Sequence, residues 1–284
     1  MHRLAIPLIL LATALSLSAK DAELFKPTST RDIAYSDSEH PRHKLDVYAP
    51  IDAPGKRAVV VFVHGGGWQM GDKKQHYFVG HTFAKLGYVC VLPNYRLYPE
   101  VTFPSFVEDA AEAVKWVREN ISDHGGDPDQ IFLMGHSAGG HLVSMISAHE
   151  KYLGFEKGTR PEWLRGVMPI AGVYAWKPAS APRYARPFGK AGNDTNVCMA
   201  IGGTNGDEPP FLLIHGMKDK VVPVPESTRY ELALKAQKIE VETAFYKDLD
   251  HMTIIAQLGS NRSKKLDVLE RITAFIEKHR KSSE

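Results

Sequence analysis

The chain has 284 residues, of which 43% are hydrophobic and 24% charged, an ordinary composition for a soluble globular protein. Its net charge is +2, from 35 Lys and Arg against 33 Asp and Glu, and no basic block stands out. This balance argues against a nucleic acid as partner. The length suffices for one large α/β domain or two small ones with a real hydrophobic core.

The first 19 residues have the layout of a secretory signal peptide. A short basic start precedes an apolar run over residues 4–17 and then two small residues. The run has 14 residues, which is short for a membrane span of ~20, so an uncleaved anchor is the less favoured alternative. We therefore expect residues 1–19 to be removed and residues 20–284 to form a single domain. The protein would then be secreted or periplasmic, with no attachment to a membrane.

The first elements are predicted from their hydrophobic patterns. "RDIAYSD" and "HKLDVYAP" alternate as in an exposed hairpin. "RAVVVFVH" is a continuous apolar run, which is typical of a strand covered on both faces. A helix near residues 77–86, the strand "YVCVLP" and an amphipathic helix over 103–120 follow.

Strands and helices then alternate to the end of the chain. "QIFLMG", "GVMPIAG", "PFLLIHG" and "EVETAFY" are predicted strands; the helices are "SAGGHLVSMISAHE", "ESTRYELALKAQK" and a last one over about 261–279. This alternation predicts a mostly parallel sheet covered by helices on both faces.

Residues 174–210 do not fit this alternation. The segment is rich in Pro, Gly and Ala and has no clear period. A long stretch of this kind inside a compact domain is often functional, so we interpret it as a small cap inserted over the carboxyl edge of the sheet. A disordered surface loop is the alternative.

Both cysteines are predicted to be free thiols. Cys90 lies in the predicted buried strand "YVCVLP", whereas Cys198 lies in a predicted polar loop. Export would permit a disulfide, but a thiol in a strand core is badly placed to reach a distant loop.

The sequence "GHSAG" at residues 135–139 places Ser137 between a predicted strand and a predicted helix. A sharp strand–turn–helix connection forces this residue into a crowded backbone conformation, and Gly135 and Gly139 remove the side chains that would collide. The turn would expose the Ser137 hydroxyl above the sheet at a helix N-terminus, which favours negative charge. We predict that Ser137 is a nucleophile.

A serine hydroxyl needs a base, and His251 fits best among the downstream histidines. Two others lie on the helix that begins at Ser137 and cannot reach back over its first turn. His215, at the end of a strand, is best explained as a packed or hydrogen-bonded histidine. His251 follows the strand "EVETAFY" in a loop that can return its side chain to the site.

A carboxylate must hold the imidazole in one tautomer. Asp219 lies shortly after the end of the strand "PFLLIHG" and is the predicted acid. Asp248 and Asp250 are rivals, but they are close to His251 in sequence and are more typical of turn residues.

The three glycines of "HGGGW" follow a buried strand. Attack on a carbonyl creates an oxyanion, and a glycine loop can present backbone N–H groups to it without an obstructing side chain. We assign this oxyanion hole to Gly66 and Gly67, together with Ala138 after the nucleophile. A phosphate-binding loop is disfavoured because the Lys-Ser/Thr ending is missing.

Five stretches together resemble the serine esterase branch of the α/β-hydrolase superfamily: "HGGGWQMGDK", "NYRLYPE", "FPSFVEDAAEAVKWV", "GGDPDQI" and "GHSAGGHL". The group is the one related to hormone-sensitive lipase, and the similarity is greatest to small bacterial acetyl and feruloyl esterases. It extends from about residue 45 to residue 251. It implies an α/β-hydrolase fold with an eight-stranded sheet, the order Ser137, Asp219, His251, and ester hydrolysis through an acyl-enzyme without a cofactor. No metal-ligand spacing is present, so no metal is expected.

The resulting hypothesis is a secreted carboxylesterase for short-chain or aromatic acyl esters. Its partner would be a small-molecule ester or an acylated plant polysaccharide carrying acetyl or feruloyl groups. Trp68, Tyr174 and Trp176 are the predicted substrate-binding residues. An amidase of the kynurenine formamidase type is the alternative enzyme. A binding module without catalysis is disfavoured, because every required residue type is present.

Overall fold

The computed structural model describes residues 25–156, 159, 161–259 and 267–281. The predicted signal peptide, 1–19, and the beginning of the predicted last helix, 261–266, lie outside the described residues. Among the described residues, no helix combines the length and the apolar character needed to cross a membrane.

Eight strands and nine α-helices occur in the described part of the chain. The strands are β1 (Pro27–Ala34), β2 (Lys44–Pro50), β3 (Arg57–Val63), β4 (Val89–Pro93), β5 (Gly126–His136), β6 (Leu164–Ile170), β7 (Phe211–Gly216) and β8 (Val241–Tyr246). The helices are α1 (Tyr77–Lys85), α2 (Ser105–Asn120), α3 (Ala138–Ala148), α4 (Pro182–Phe188), α5 (Thr195–Cys198), α6 (Ala200–Gly203), α7 (Pro225–Ala236), α8 (His251–Ala256) and α9 (Val268–His279).

The strands form one sheet in the order β1-β2-β4-β3-β5-β6-β7-β8. The pairs β1–β2 and β2–β4 are antiparallel, and every pair from β4 through β3 to β8 is parallel. The carboxyl ends of β3, β5, β7 and β8 therefore meet at one edge of the sheet. The prediction of a mostly parallel eight-stranded sheet is confirmed.

The apolar run of β3 is explained by layers on both faces of the sheet. Val59, Val61 and Val63 belong to the core that contains α2 and α3. Val60 and Phe62, which point the opposite way, belong to the core that contains α1 and α9. Because side chains alternate along a strand, a strand covered on both faces is apolar at nearly every position, and in β3 only the terminal Arg57 is polar.

The predicted exposed hairpin is only partly correct. β1 and β2 do pair, but Leu45, Val47 and Tyr48 of β2 are fully buried. β2 also pairs with β4, and the Tyr48 ring packs so closely on α1 that a Cβ at Gly80 would lie 2.4 Å from it. The alternating pattern was not sufficient to show this second partner.

Segment 174–210 contains the short helices α4, α5 and α6, although its sequence has no clear period. The prediction that Cys198 lies in a polar loop is wrong, because it ends α5 and is fully buried. Both cysteines are free, as predicted, and both are buried.

A buried ion pair joins the antiparallel strands to the segment after the glycine loop. The Lys73 side chain is 1% exposed, and its ammonium lies 2.5 Å from Asp46 Oδ1 and 2.6 Å from Asp32 Oδ1. Asp46 is also buried and accepts a hydrogen bond from the Asp32 backbone N–H at 2.9 Å. Removing the cation would leave the Asp46 carboxylate without its counter-charge.

We expect Lys73→Met to lower the free energy of unfolding by ~3–5 kcal/mol, because breaking a buried pair leaves an uncompensated charge. The matched control is Lys278→Met, which removes a half-exposed ammonium from Glu240 and Glu242 and should cost less than ~1 kcal/mol. Urea unfolding midpoints of both variants measure the difference. Equal shifts would show that the Lys73 pair contributes no more than a surface pair.

Candidate active site

Ser137 lies in a sharp turn between β5 and α3. Its backbone has φ 55° and ψ −119°, a left-handed conformation that is rare for a residue with a side chain. A Cβ at Gly135 would lie 2.4 Å from Gly139 O, and a Cβ at Gly139 would lie 2.0 Å from Val63 O. The two flanking glycines therefore allow the backbones of β3, β5 and α3 to approach each other around Ser137.

The structure brings Ser137, His251 and Asp219 together. Ser137 Oγ lies 2.9 Å from His251 Nε2, and His251 Nδ1 lies 2.7 Å from Asp219 Oδ2. All three residues are less than a tenth exposed. Because Nδ1–H donates to the carboxylate, Nε2 presents its lone pair to the Ser137 hydroxyl, which is the arrangement needed for general-base activation.

Asp219 is held on both carboxylate oxygens. Oδ1 accepts hydrogen bonds from the N–H groups of Val221 and Val222 at 2.8 and 2.9 Å. Burial by itself would raise the pKa of Asp219, but hydrogen bonds from His215, His251 and Val222 outweigh burial and lower this pKa. The carboxylate therefore stays ionised beside His251.

The rival carboxylates have other roles. Asp248 is exposed and pairs with Lys218 at 2.8 Å. Asp250 caps α8 by accepting the N–H groups of Met252 and Thr253. The cap fixes the first residue of α8, which is His251 itself. The structure thus places Asp219, and neither rival, against the imidazole.

His136 was not singled out in the sequence, although it is part of "GHSAG". Its Nε2–H donates to the carbonyl oxygen of His251 at 2.8 Å, and the two rings lie 4.7 Å apart. Burial lowers the pKa of His136 to about 3, so the ring is neutral. It links the nucleophile turn to the backbone that carries the base.

The glycine loop runs directly against the nucleophile. A Cβ at Gly65 would lie 3.0 Å from Ser137 Cβ, and one at Gly66 would lie 1.9 Å from Met70 O. Gly66 and Gly67 are partly exposed and have positive φ values of 124° and 60°. None of the hydrogen bonds found between the described residues uses the N–H of Gly66 or Gly67. These groups are available to an oxygen bound beside Ser137.

Buried and partly buried polar side chains bind the backbone carbonyl groups of this loop. The Nδ1–H of His64 donates to Gly65 O at 2.8 Å, and Arg42 donates to Gly71 O at 2.9 Å. The Tyr95 hydroxyl donates to His64 O at 3.0 Å. Burial lowers the pKa of His64 to about 3, so this ring also stays neutral.

Two of the three predicted substrate-binding residues are buried. Trp68 is 2% exposed, and its indole N–H donates to His141 Nδ1 at 3.2 Å. Tyr174 is fully buried and stacks on Tyr230 with ring centroids 4.7 Å apart. Their burial argues against direct contact with a substrate. Trp176 is partly exposed, so its contact with substrate stays a prediction.

Three potential metal ligands also come together among the described residues, namely Glu240, Glu242 and His279. Glu240 immediately precedes β8, so this group lies at the edge of the sheet opposite His251, which follows β8. The Lys278 ammonium already contacts the two carboxylates at 2.7 and 2.6 Å. The group is therefore separate from the candidate active site.

Two family models match successive parts of the chain. The one described as BD-FAE matches residues 45–165, and the one described as Prolyl oligopeptidase family matches residues 164–283. Esterase LipQ of Mycobacterium tuberculosis is 34% identical over 224 residues, which cover 72% of this chain and 52% of LipQ. A probable isoprenylcysteine alpha-carbonyl methylesterase of Oryza sativa is 28% identical over 272 residues, covering 86% of this chain and 62% of that protein. The chain thus spans about half to three fifths of the length of these relatives.

Solved structures with the same fold include a truncated carbohydrate esterase from gut microbiota, with a TM-score of 0.75 and 20% identity over 90% of this chain and 98% of that one. A thermophilic esterase of Thermogutta terrifontis has a TM-score of 0.71 and 21% identity over 88% of this chain and 94% of that one. The sheet order, the turn at Ser137 and these structural similarities show that the chain has the α/β-hydrolase fold, and its sequence relatives are named as esterases.

Proposed function

We propose that the chain is a serine carboxylesterase for short-chain or aromatic acyl esters. The observation that carries this proposal is the pair of hydrogen bonds at His251. Its Nδ1 lies 2.7 Å from Asp219 Oδ2, and its Nε2 lies 2.9 Å from Ser137 Oγ. The three residues lie beside a glycine loop whose N–H groups point to no acceptor in the described residues. This set supplies a nucleophile, a base, an acid that orients the base, and donors for an oxyanion.

In the first half of the proposed reaction, His251 Nε2 takes the Ser137 proton while Oγ bonds to the ester carbonyl carbon. The carbonyl π electrons move to oxygen, and the N–H groups of Gly66, Gly67 and Ala138 donate to this oxyanion. Asp219 stabilises the imidazolium. When the tetrahedral intermediate collapses, the C–O bond breaks, and the imidazolium protonates the departing alcohol.

In the second half, water attacks the acyl-Ser137 carbonyl and His251 takes one of its protons. Collapse of the new tetrahedral intermediate releases the carboxylic acid, and the imidazolium returns its proton to Ser137 Oγ. The same N–H donors serve both halves, because the oxyanion forms at the same place. The two half-reactions together consume one ester and one water and release one alcohol and one carboxylic acid, without a redox step or a cofactor.

The packing of segment 174–210 supports a small acyl group. Two of its large side chains pack into the protein core. Phe188 is 1% exposed, with its ring centroid 4.7 Å from that of Trp68, and Met199 is fully buried. Few long apolar side chains remain to roof a groove. By contrast, exposed apolar residues occur beside the catalytic positions, with Met217 and Val221 flanking Asp219 and Met252 following His251. These support contact with an apolar or aromatic part of an ester.

We expect Ser137→Ala to lower kcat on p-nitrophenyl acetate by ~10⁶, because loss of the nucleophile removes the covalent route. An organophosphate should label the wild-type protein at Ser137, as found by mass spectrometry of its peptides. Labelling at any other residue would overturn the assignment.

Two aspartate variants separate the proposed acid from its rival. Asp219→Asn should lower kcat by ~10⁴, since the neutral amide no longer fixes the productive imidazole tautomer. Asp248→Asn changes an exposed residue and should leave kcat near the wild-type value. The reverse result would show that the acid is misassigned.

We expect kcat/KM to be greatest for acetyl to butyryl esters and to fall by octanoyl. Each methylene buried in an apolar groove would contribute ~0.8 kcal/mol, so without such a groove longer chains gain little. The measurement is a series of p-nitrophenyl esters, extended to feruloyl esters, acetylated xylan and N-formylkynurenine. A rise from butyryl to dodecanoyl would contradict the proposal, and preferred turnover of N-formylkynurenine would favour the amidase alternative.

We also propose that the protein is secreted or periplasmic, on the basis of the apolar run at residues 4–17. Fractionation of cells that express the full chain should give a mature protein that begins near residue 20, as read by N-terminal sequencing. An uncleaved N-terminus in the cytoplasmic fraction would contradict export.

A further inference from the structure

A second histidine contacts the proposed catalytic acid. His215 is the penultimate residue of β7 and is fully buried. Its Nε2 lies 3.0 Å from Val222 O and 3.3 Å from Asp219 Oδ2, and its Nδ1 lies 2.7 Å from Ser227 Oγ. The sequence favours a packed or hydrogen-bonded histidine at this position, and the structure shows which groups its nitrogens meet.

The contacts determine where the proton of this ring lies. The Val222 carbonyl can only accept a hydrogen bond, so Nε2 carries the proton. The Ser227 hydroxyl, 2.7 Å from Nδ1, is compatible with this tautomer, because a hydroxyl can donate to an unprotonated ring nitrogen. The Nε2–H donates to Val222 O at 3.0 Å, and Asp219 Oδ2 lies 3.3 Å from the same nitrogen. As a result, Asp219 Oδ2 lies between two histidine N–H groups, that of His251 at 2.7 Å and that of His215 at 3.3 Å.

Ser227 lies in the first turn of α7, which borders the start of segment 174–210. The Tyr174 hydroxyl oxygen at the start of that segment accepts a hydrogen bond from the Gly172 N–H at 3.2 Å.

Glu226, next to Ser227, binds the backbone at the start of segment 174–210. Its Oε2 accepts hydrogen bonds from the N–H groups of Tyr174, Ala175 and Trp176 at 3.0, 2.9 and 3.0 Å. Glu226 is 4% exposed and lies in the first turn of α7. This turn thus holds the beginning of segment 174–210 on one side and the histidine behind Asp219 on the other.

We propose that His215 is a positioning residue for catalysis: held in one tautomer by the Val222 carbonyl and supported at Nδ1 by Ser227, it directs Asp219 Oδ2 toward His251. The proposal rests on the proposed esterase function. Without the His215 N–H, His251 would be the one side-chain donor left at Oδ2 among the described residues, and the direction of Oδ2 would depend on the two backbone donors at Oδ1. A shift of Oδ2 would disturb the imidazole orientation in both halves of the reaction.

Two substitutions at His215 distinguish positioning from packing. His215→Phe keeps a buried ring but removes both nitrogens, whereas His215→Gln can place an amide N–H near the former Nε2. We expect kcat of His215→Phe to fall by ~10–100-fold, as for other partners that orient a reacting group, with KM little changed. His215→Gln should recover most of this loss. A folded His215→Phe variant with wild-type kcat, or a Gln variant no better than Phe, would overturn the proposal.

Ser227→Ala tests the hydrogen bond that supports the His215 ring at Nδ1, and Ser144→Ala is its matched control. Both serines are fully buried, but the Ser144 hydroxyl donates only to Gly140 O, within α3. Ser227→Ala should lower kcat by a smaller factor than His215→Phe, and Ser144→Ala should leave it unchanged. Equal effects of the two alanine variants would indicate packing alone.

Proton NMR of the His251 Nδ1–H resonance gives a readout that needs no turnover. This strongly downfield signal should shift or broaden in His215→Phe and Ser227→Ala and stay in place in Ser144→Ala. An unchanged signal in a folded His215→Phe variant overturns the positioning role, whatever the activity. Failure of the esterase proposal would instead appear as wild-type protein with no turnover of any ester and no organophosphate label at Ser137.

Discussion

The close approach of three backbone segments around Ser137 is the constraint on which the site depends. The turn holds Ser137 at a positive φ, and its N–H donates to Ile170 O of β6 at 2.9 Å. Only glycine fits at positions 135 and 139, where a Cβ would collide with backbone atoms. A strained turn of this kind costs ~1–3 kcal/mol and persists because the packed sheet determines it from all sides. The strain keeps the serine hydroxyl at the carboxyl edge, where the other loops converge.

Buried imidazoles hold those loops. His64 supports the glycine loop, His136 holds the backbone of His251, and His141 connects Trp68 to the carbonyl of Cys198. Burial lowers the pKa of these three rings to about 3, 3 and 4. Each neutral ring has one donor and one acceptor, which suits a link between two loops. Their depressed pKa values stabilise the fold at neutral pH, and this contribution is lost as the pH falls below 6.5, where the unfolded histidines take up protons.

Local patterns predicted the parts of the molecule that depend on local geometry. The apolar run of β3, the glycines around Ser137 and the positions of Asp219 and His251 after successive strands all follow from strand and turn chemistry. The partners of β2, the burial of Trp68 and Tyr174, and the short helices of segment 174–210 depend on contacts between distant parts of the chain. The hydrophobic pattern of a segment does not indicate which distant residues it contacts. His215 is a different case: its partners lie only 4, 7 and 12 residues further along the chain, but the residue types alone do not indicate which groups its nitrogens meet.

The first turn of α7 contacts both the start of segment 174–210 and the histidine behind Asp219. Glu226 binds three successive N–H groups at the start of segment 174–210, and a buried carboxylate with this many donors is a rigid attachment. Beyond Trp176 the segment is attached separately, by buried side chains such as Phe188 and Met199. Ser227 of the same turn bonds the histidine behind Asp219, so the surroundings of Asp219 are built from α7 and the end of β7. Under the proposed function, this arrangement would separate contacts with the ester, made by exposed residues of the segment, from the geometry of the nucleophile, base and acid.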